Sequence, residues 1–301
     1  MYNDTDVSII IVNWNRLDDV RKSLHYLRFQ GPVRFEVVIV DNGSTDGSAE
    51  YLRSIEGIKF IGLESNVGPC KARNIGLEHS RGRYILFLDS DAILSKWKLA
   101  RLVRRMDQDR SIGILACRIV NGFTRDTDQW IHGVPESNGR RREFETYSFS
   151  AAGAVVRKQA LREAGAFWDE LFIYNEEVDL SIRLLLAGYR IIYYPQARVY
   201  HCRSQTGRGE SGEYWRFQIR NWIWIFYRYY PPLLCASKIS LYVLIYIVKS
   251  MVSWHFGKCC SGILQGLSKT EIIERFPDKL TQAQARRLRA LNGRTRIRFR
   301  R

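Results

Sequence analysis

Tyr84-Ile85-Leu86-Phe87-Leu88-Asp89-Ser90-Asp91 sets five apolar residues directly against two carboxylates. Five such residues without polar alternation read as a strand buried on both faces, the kind found in a parallel sheet covered by helices. Two aspartates two residues apart at its end repel each other unless something positive sits beside them. A divalent cation satisfies both. Hard oxygen ligands suit Mg²⁺ or Mn²⁺, ions that keep positions open for phosphate oxygens.

Working outward, residues 8–12, 35–40, 58–62 and 112–116 read as further strands, and 18–29, 48–55, 69–79 and 95–107 as the helices between them. Pro69 suits a first helical turn after Gly68. This alternation predicts an α/β fold with a mostly parallel central sheet flanked by helices. Residues 121–145 carry no clear period and read as a long loop at the sheet edge. A strand is expected over 149–156, a helix over 158–164 with a turn at Gly165, and a second helix over 176–187 closed by Gly188.

In an open α/β sheet, ligands bind beyond the carboxyl ends of the strands. Strand one runs into Asn13-Trp14-Asn15-Arg16 and strand two into Asp41-Asn42-Gly43-Ser44-Thr45-Asp46. Asn66-Val67-Gly68-Pro69 then opens a helix bearing Lys71 and Arg73, where backbone N–H groups and two cations could hold a diphosphate.

The composition sets the outer bounds. A chain of 301 residues, 46% hydrophobic and 26% charged, is no disordered polymer. Its net charge of +16 is uneven, because residues 286–301 hold eight arginines and no acid. Such a tail attracts nucleic acid or an anionic membrane surface. The aromatic residues of 214–246 lie beside apolar runs and favour the membrane. Residues 233–266 are mostly apolar, with Lys238, Lys249 and Lys258 spaced through them. The longest uncharged run, 239–248, is half the roughly twenty residues that a span needs. Helices lying in the interface, with lysines snorkelling to water, are the expectation. The chain thus divides into residues 1–210 and a helical, membrane-associating region, 211–301. Six cysteines without Cys-x-x-Cys spacing fit reduced thiols in the cytosol, and residues 7–12 are too short an apolar run for a cleaved leader.

Five pieces, in this order, resemble the family 2 glycosyltransferases with the GT-A fold, in particular bacterial rhamnosyltransferase-like members that build surface polysaccharides. They are Val7-Ser-Ile-Ile-Ile-Val-Asn-Trp-Asn-Arg16, Val40-Asp-Asn-Gly-Ser-Thr-Asp-Gly-Ser48, Asn66-x-Gly68 with Ala72-Arg-Asn-x-Gly76, Phe87-Leu-Asp-Ser-Asp91 and Tyr174-Asn-Glu-Glu-Val-Asp-Leu-Ser-Ile-Arg183. The resemblance implies that Val12, Trp14 and Asp41 line the nucleotide base, with Asn66 and Arg73 near the base or diphosphate. It implies that Asp89 faces ribose and metal, that Asp91 ligates the metal, and that His201 completes the metal shell. Gly153 would pass close to the donor sugar, and residues 167–170 would lead into a helix near the acceptor.

Of Glu176, Glu177 and Asp179, the last reads as a structural partner of Arg183 at i,i+4. The family's Glu-Asp-x-Asp pattern puts the general base at Glu177, where this chain carries Glu for Asp, so Glu176 and Glu177 both stand as candidates. A sugar hydroxyl needs such a base to attack an anomeric carbon, while a metal stabilises the leaving nucleoside diphosphate. The reading is an inverting transfer from a UDP- or dTDP-sugar to a glycan or lipid-linked acceptor at the cytoplasmic face of the plasma (inner) membrane. A nucleotidyltransferase calls for a glycine-rich loop after strand one, which Asn13-Trp14-Asn15-Arg16 lacks. A nucleic-acid-binding protein leaves the acidic strand ends unexplained.

Overall fold

The structure is a computed structural model of the chain and describes residues 5–126, 142–202, 212–270 and 273. The arginine tail and most of the long loop after residue 126 lie outside the described residues. The chain runs β1 (Val7–Asn13), α1 (Leu17–Leu27), β2 (Phe35–Asp41), α2 (Ser48–Arg53), β3 (Ile58–Gly62), α3 (Pro69–Glu78), β4 (Tyr84–Asp89), β5 (Ala92–Leu94), α4 (Leu99–Gln108) and β6 (Ile112–Asn121). It continues through β7 (Phe144–Thr146), β8 (Gly153–Arg157), α5 (Lys158–Ala164), a 3-10 turn at Asp169–Leu171, α6 (Glu176–Leu186) and β9 (Arg190–His201). Three helices follow: α7 (Glu213–Tyr229), α8 (Pro232–Val252) and α9 (Phe256–Ser268).

The sheet order is β3-β2-β1-β4-β8-β6-β9-β5, with β7 on β9. Strands β3, β2, β1 and β4 are parallel as the alternation predicts. Beyond them β8 enters antiparallel between β4 and β6, so the far half of the sheet is mixed. Alternate residues of one strand face opposite cores. Ile9, Ile11, Leu86 and Leu88 pack with α1 and α4, whereas Ile10, Ile85 and Phe87 pack with residues of α5, α6 and α7.

The expected strand over 149–156 begins only at Gly153, where a Cβ would meet Val199 at 2.6 Å. A glycine there leaves room for the side chains of Val199 and Ile119. Strand β9 slips against β6, whose ladder steps from Cys117 opposite Tyr194 to Arg118 opposite Arg198. Pro195 lies in that slip and has no N–H to donate, which is where a strand tolerates a bulge. Past the bulge, β9 pairs with β5, setting Ala92 opposite His201.

The helices after residue 211 belong to the same buried cluster as the sheet. Ile219, Ile223 and Trp224 of α7, Tyr246 of α8 and Cys259 of α9 share it with Ile10, Phe87 and Leu180. The division expected at residue 210 falls within residues 203–211, outside the described residues. Helix α8 is unbroken over 21 residues with a mean hydropathy of 1.6, which by length and composition suffices to cross a membrane. Lys238 and Lys249 bound the uncharged run 239–248 on which the expectation of interfacial helices rested, and both stand within α8 without breaking it, lysine being a good helix former. Tyr242 packs α8 on Trp222 and Phe226 of α7, with centroids 5.1 and 4.8 Å away. Its other face leaves Leu233, Leu241, Leu244, Val248 and Val252 exposed.

Candidate active site

The carboxyl ends of β1, β2 and β4 meet at one edge of the sheet, where Val12 pairs with Val40 and Asp89, and Asn13 with Asp41. Asp89 and Asp91 lie on the turn from β4 to β5. Because β5 pairs with the end of β9, His201 is delivered to the same turn. Its Nε2 is 3.2 Å from Asp91 Oδ1 and 3.8 Å from Asp89 Oδ2. One ligand atom from each of the three lies within 4.8 Å of the others. Burial pulls the imidazole pKa down, but the hydrogen bond with Asp91 and the charge of Asp89 outweigh it and leave His201 raised.

Two carboxylates and one imidazole converging this closely form a donor set that fits a hard or borderline divalent cation. Among the described residues, buried His201 Nδ1 has no hydrogen-bond partner. The positive neighbours of the acid pair are two arginines. Arg16 Nη1 forms an ion pair with Asp91 Oδ2. Arg73, 7% exposed, is 3.0 Å from Asp89 Oδ1 through Nη2 and 3.0 Å from Glu176 Oε1 through Nη1. A continuous chain of charge therefore runs Arg16, Asp91, His201, Asp89, Arg73, Glu176. Sequence reasoning placed Arg73 near a diphosphate and assigned Arg16 no role. Its position at the end of the β1 polar run was the available signal.

Glu176 and Glu177 open α6, and the structure separates them. Glu176 is buried in the Arg73 ion pair, with its Oε2 unpartnered. Glu177 is half-buried and accepts the Ala151 N–H at 3.2 Å. Burial, and then the charge of Glu176, hold its carboxyl above the usual glutamate range. Asp179 has the structural partner expected of it, Arg183 Nη2 at 2.6 Å, and in addition accepts from Tyr229 Oη at 2.5 Å, a contact between distant helices that the sequence reading did not name.

The remaining candidates line the β1–β3 side of the same edge. Asp41 is 1% exposed; Oδ2 accepts from Asn13 Nδ2 and Oδ1 from the Ser44 N–H, both at 2.9 Å. Its carboxylate thus braces the turn after β2, the expected Asx chemistry. Trp14 is half-buried beyond β1. Asn66 Oδ1 accepts from Asn42 Nδ2 and from the Gly68 N–H, each at 2.9 Å, and so shapes the turn into α3. Gly68 there has φ +86°, and a Cβ would collide with Phe172.

The profile described as Glycosyl transferase family 2 matches residues 8–165, more than half of the chain. The chain belongs to this family. The match stops short of Glu176 and Glu177 at the start of α6. Among relatives, the chain is 24% identical over 279 residues to a poly-beta-1,6-N-acetyl-D-glucosamine synthase of Staphylococcus epidermidis, covering 84% of this chain and 63% of that protein. Across the first curated relatives it matches, it spans between 18% and 63% of their lengths. Among solved structures it is similar to S. aureus TarS 1-349 in complex with UDP-GlcNAc, with TM-score 0.58, 23% identity, and coverage of 72% of this chain and 65% of that one. It is similar as well to the mannosyltransferase PcManGT of Pyrobaculum calidifontis in complex with GDP-Man and Mn2+, with TM-score 0.58, 19% identity, and coverage of 95% and 80%. These two likenesses establish the fold. Family membership does not favour the nucleotidyltransferase or nucleic-acid-binding alternatives.

Proposed function

We propose that this chain is an inverting, metal-dependent glycosyltransferase. It moves a sugar from a UDP- or dTDP-sugar to a hydroxyl of a lipid-linked glycan in surface polysaccharide synthesis. The observation that carries this reading is the approach of Asp89, Asp91 and His201 at the carboxyl edge of the sheet, with the helix that carries Glu177 joined to Asp89 through Glu176 and Arg73. Asp89, Asp91 and His201 would hold Mn²⁺ or Mg²⁺, which when bound would offset charge on the departing nucleoside diphosphate.

Val12, Trp14 and Asp41 line the nucleotide base, Asn66 shapes the turn beneath the diphosphate, and the backbone at Gly153 passes the donor sugar. Arg73 ties Asp89 to Glu176 and so couples the donor edge to the acceptor helix. Glu176 stays in its ion pair, which leaves Glu177 to take the acceptor's proton as the hydroxyl attacks. A carboxyl raised towards neutral pH is well matched to that task. Direct displacement inverts the anomeric centre and asks for no second carboxylate nucleophile.

The apolar face of α8 and α9 supports attachment to the cytoplasmic face of the inner membrane, reinforced by the arginine-rich tail on anionic lipid. The reading is tested with a panel of nucleotide sugars in Mn²⁺, Mg²⁺ or chelator, detecting released nucleoside diphosphate. Metal-dependent release from one donor, lost in Glu177→Gln and Asp91→Asn, is the expected outcome. No release and no metal-dependent nucleotide binding would sink it.

A further inference from the structure

The segment between α5 and α6 ends on Glu176 and Glu177, and its backbone is unusual. Phe172, Tyr174 and Asn175 have φ of 62°, 70° and 64°, a region L residues rarely adopt. Such conformations persist when the surroundings over-determine them, and they gather at functional sites. Here the determinant comes from α7. Asn221 has no exposed surface, and its Nδ2 donates to the carbonyls of Leu171 at 3.0 Å, Ile173 at 2.8 Å and Tyr174 at 2.8 Å. An amide carries two N–H groups, so three carbonyls share them, and the chain must curl tightly about this one nitrogen.

Arg220 completes the grip. Its Nε donates to Asn221 Oδ1 at 2.9 Å, fixing the amide's orientation. Its Nη2 reaches the carbonyls of Glu170 at 3.1 Å and Leu171 at 2.8 Å. The guanidinium sits over Phe217 and Trp224, 4.7 and 4.4 Å from their centroids. Phe217 in turn stacks on Phe172 at 5.2 Å. On the other side, the Phe172 carbonyl accepts the Cys70 N–H of α3 at 3.3 Å. The arc is thus wedged between the helix that follows the Asn66 turn and a helix of the C-terminal region.

We propose that Asn221, oriented by Arg220, is a positioning residue for glycosyl transfer: it fixes the 170–175 arc and thereby the direction in which Glu177 presents its carboxylate. Part of the catalytic apparatus then resides on α7. This rests on Glu177 being the general base.

The test uses the full chain with Asn221→Ala and Arg220→Met, the second keeping an apolar stem between Phe217 and Trp224. Glu177→Gln serves as the reference. Four quantities are read: kcat and KM for nucleoside diphosphate release, the Kd of UDP with Mn²⁺ by calorimetry, and the ¹³C titration of the Glu177 carboxyl, assigned by its loss in Glu177→Gln. A displaced base predicts kcat lower by roughly 100-fold with KM and Kd near wild type. It also predicts a Glu177 titration moved towards that of an ordinary glutamate. A titration and kcat both unchanged would overturn the proposal, as would a Kd that weakens in step with kcat. If Asn221→Ala does not fold, Arg220→Met decides alone. Wild-type turnover in Glu177→Gln would fell the base assignment instead, while the titration still reports on the arc.

Discussion

His201 Nε2 lies 3.2 Å from Asp91 Oδ1 because Ala92, the residue after that aspartate, is paired with His201 across the β5–β9 ladder. A three-residue strand therefore couples the two halves of the proposed metal site. His201→Ala should weaken Mn²⁺ binding roughly tenfold or more while leaving the sheet intact. Calorimetry with Mn²⁺ and UDP checks this. Binding requires the neutral imidazole, and the His201 pKa is raised. Affinity should therefore be full above that raised value and fall as pH drops through it, beginning above the ordinary histidine value of about 6.5.

A general base works only when deprotonated. With Glu177 held above the usual glutamate value of about 4.3, kcat should rise with pH through the raised pKa and level off beyond it. Glu177→Gln should cost roughly 10²- to 10⁴-fold in kcat and abolish that limb of the profile. The same shift makes the group's contribution to stability present at low pH and lost as pH rises through the folded value. Thermal melts should accordingly show Glu177→Gln gaining on wild type towards alkaline pH.

Arg73 is the only ion-pair partner of Glu176 among the described residues. Arg73→Met strands a carboxylate that is nearly all buried, and urea denaturation should show a loss of about 3–5 kcal/mol. Adding Glu176→Gln should recover a large part of it, a non-additivity that a double-mutant cycle measures directly.

Tyr229 donates from the end of α7 to a carboxylate with no exposed surface, that of Asp179 on α6. Tyr229→Phe should cost about 1.5–3 kcal/mol, the range for hydrogen bonds to charged groups. Chemical denaturation with an unchanged m-value is the expected form of that loss.

The exposed side of α8 supplies a surface test. Leu241, Leu244 and Val248 are each half or more exposed. Replacing all three with glutamine should leave the melting temperature nearly unchanged and reduce co-sedimentation with anionic vesicles. Unchanged vesicle binding would remove this face from the membrane reading.

The strands that begin the fold were legible because Val7 to Asn13 and Tyr84 to Asp89 are apolar runs ending in polar side chains, a contrast periodicity detects. Strand β5 was not, since Ala92-Ile93-Leu94 is too short to show any period. Nor does a hydrophobic run carry direction, so nothing in residues 153–157 announced an antiparallel partner for β4. His201 was found through family resemblance alone, because what brings it to Asp91 is pairing between distant strands. The reach of Arg73 to two acids, and of Asn221 to three carbonyls, belongs to long-range packing that leaves no local pattern. Lys238 and Lys249 cut the uncharged run of α8 to residues 239–248, whereas lysine continues a helix about as readily as leucine does, so that run understates the length of the helix.

The slip at Pro195 makes β9 a measured spacer. Side chains on a strand change face at every residue, so the three positions between Tyr194 and Arg198 decide which side of the sheet His201 occupies. Deleting one of them would leave every ligand in the sequence and turn the imidazole away from the aspartates. The site is guarded by a count of residues as much as by their identities.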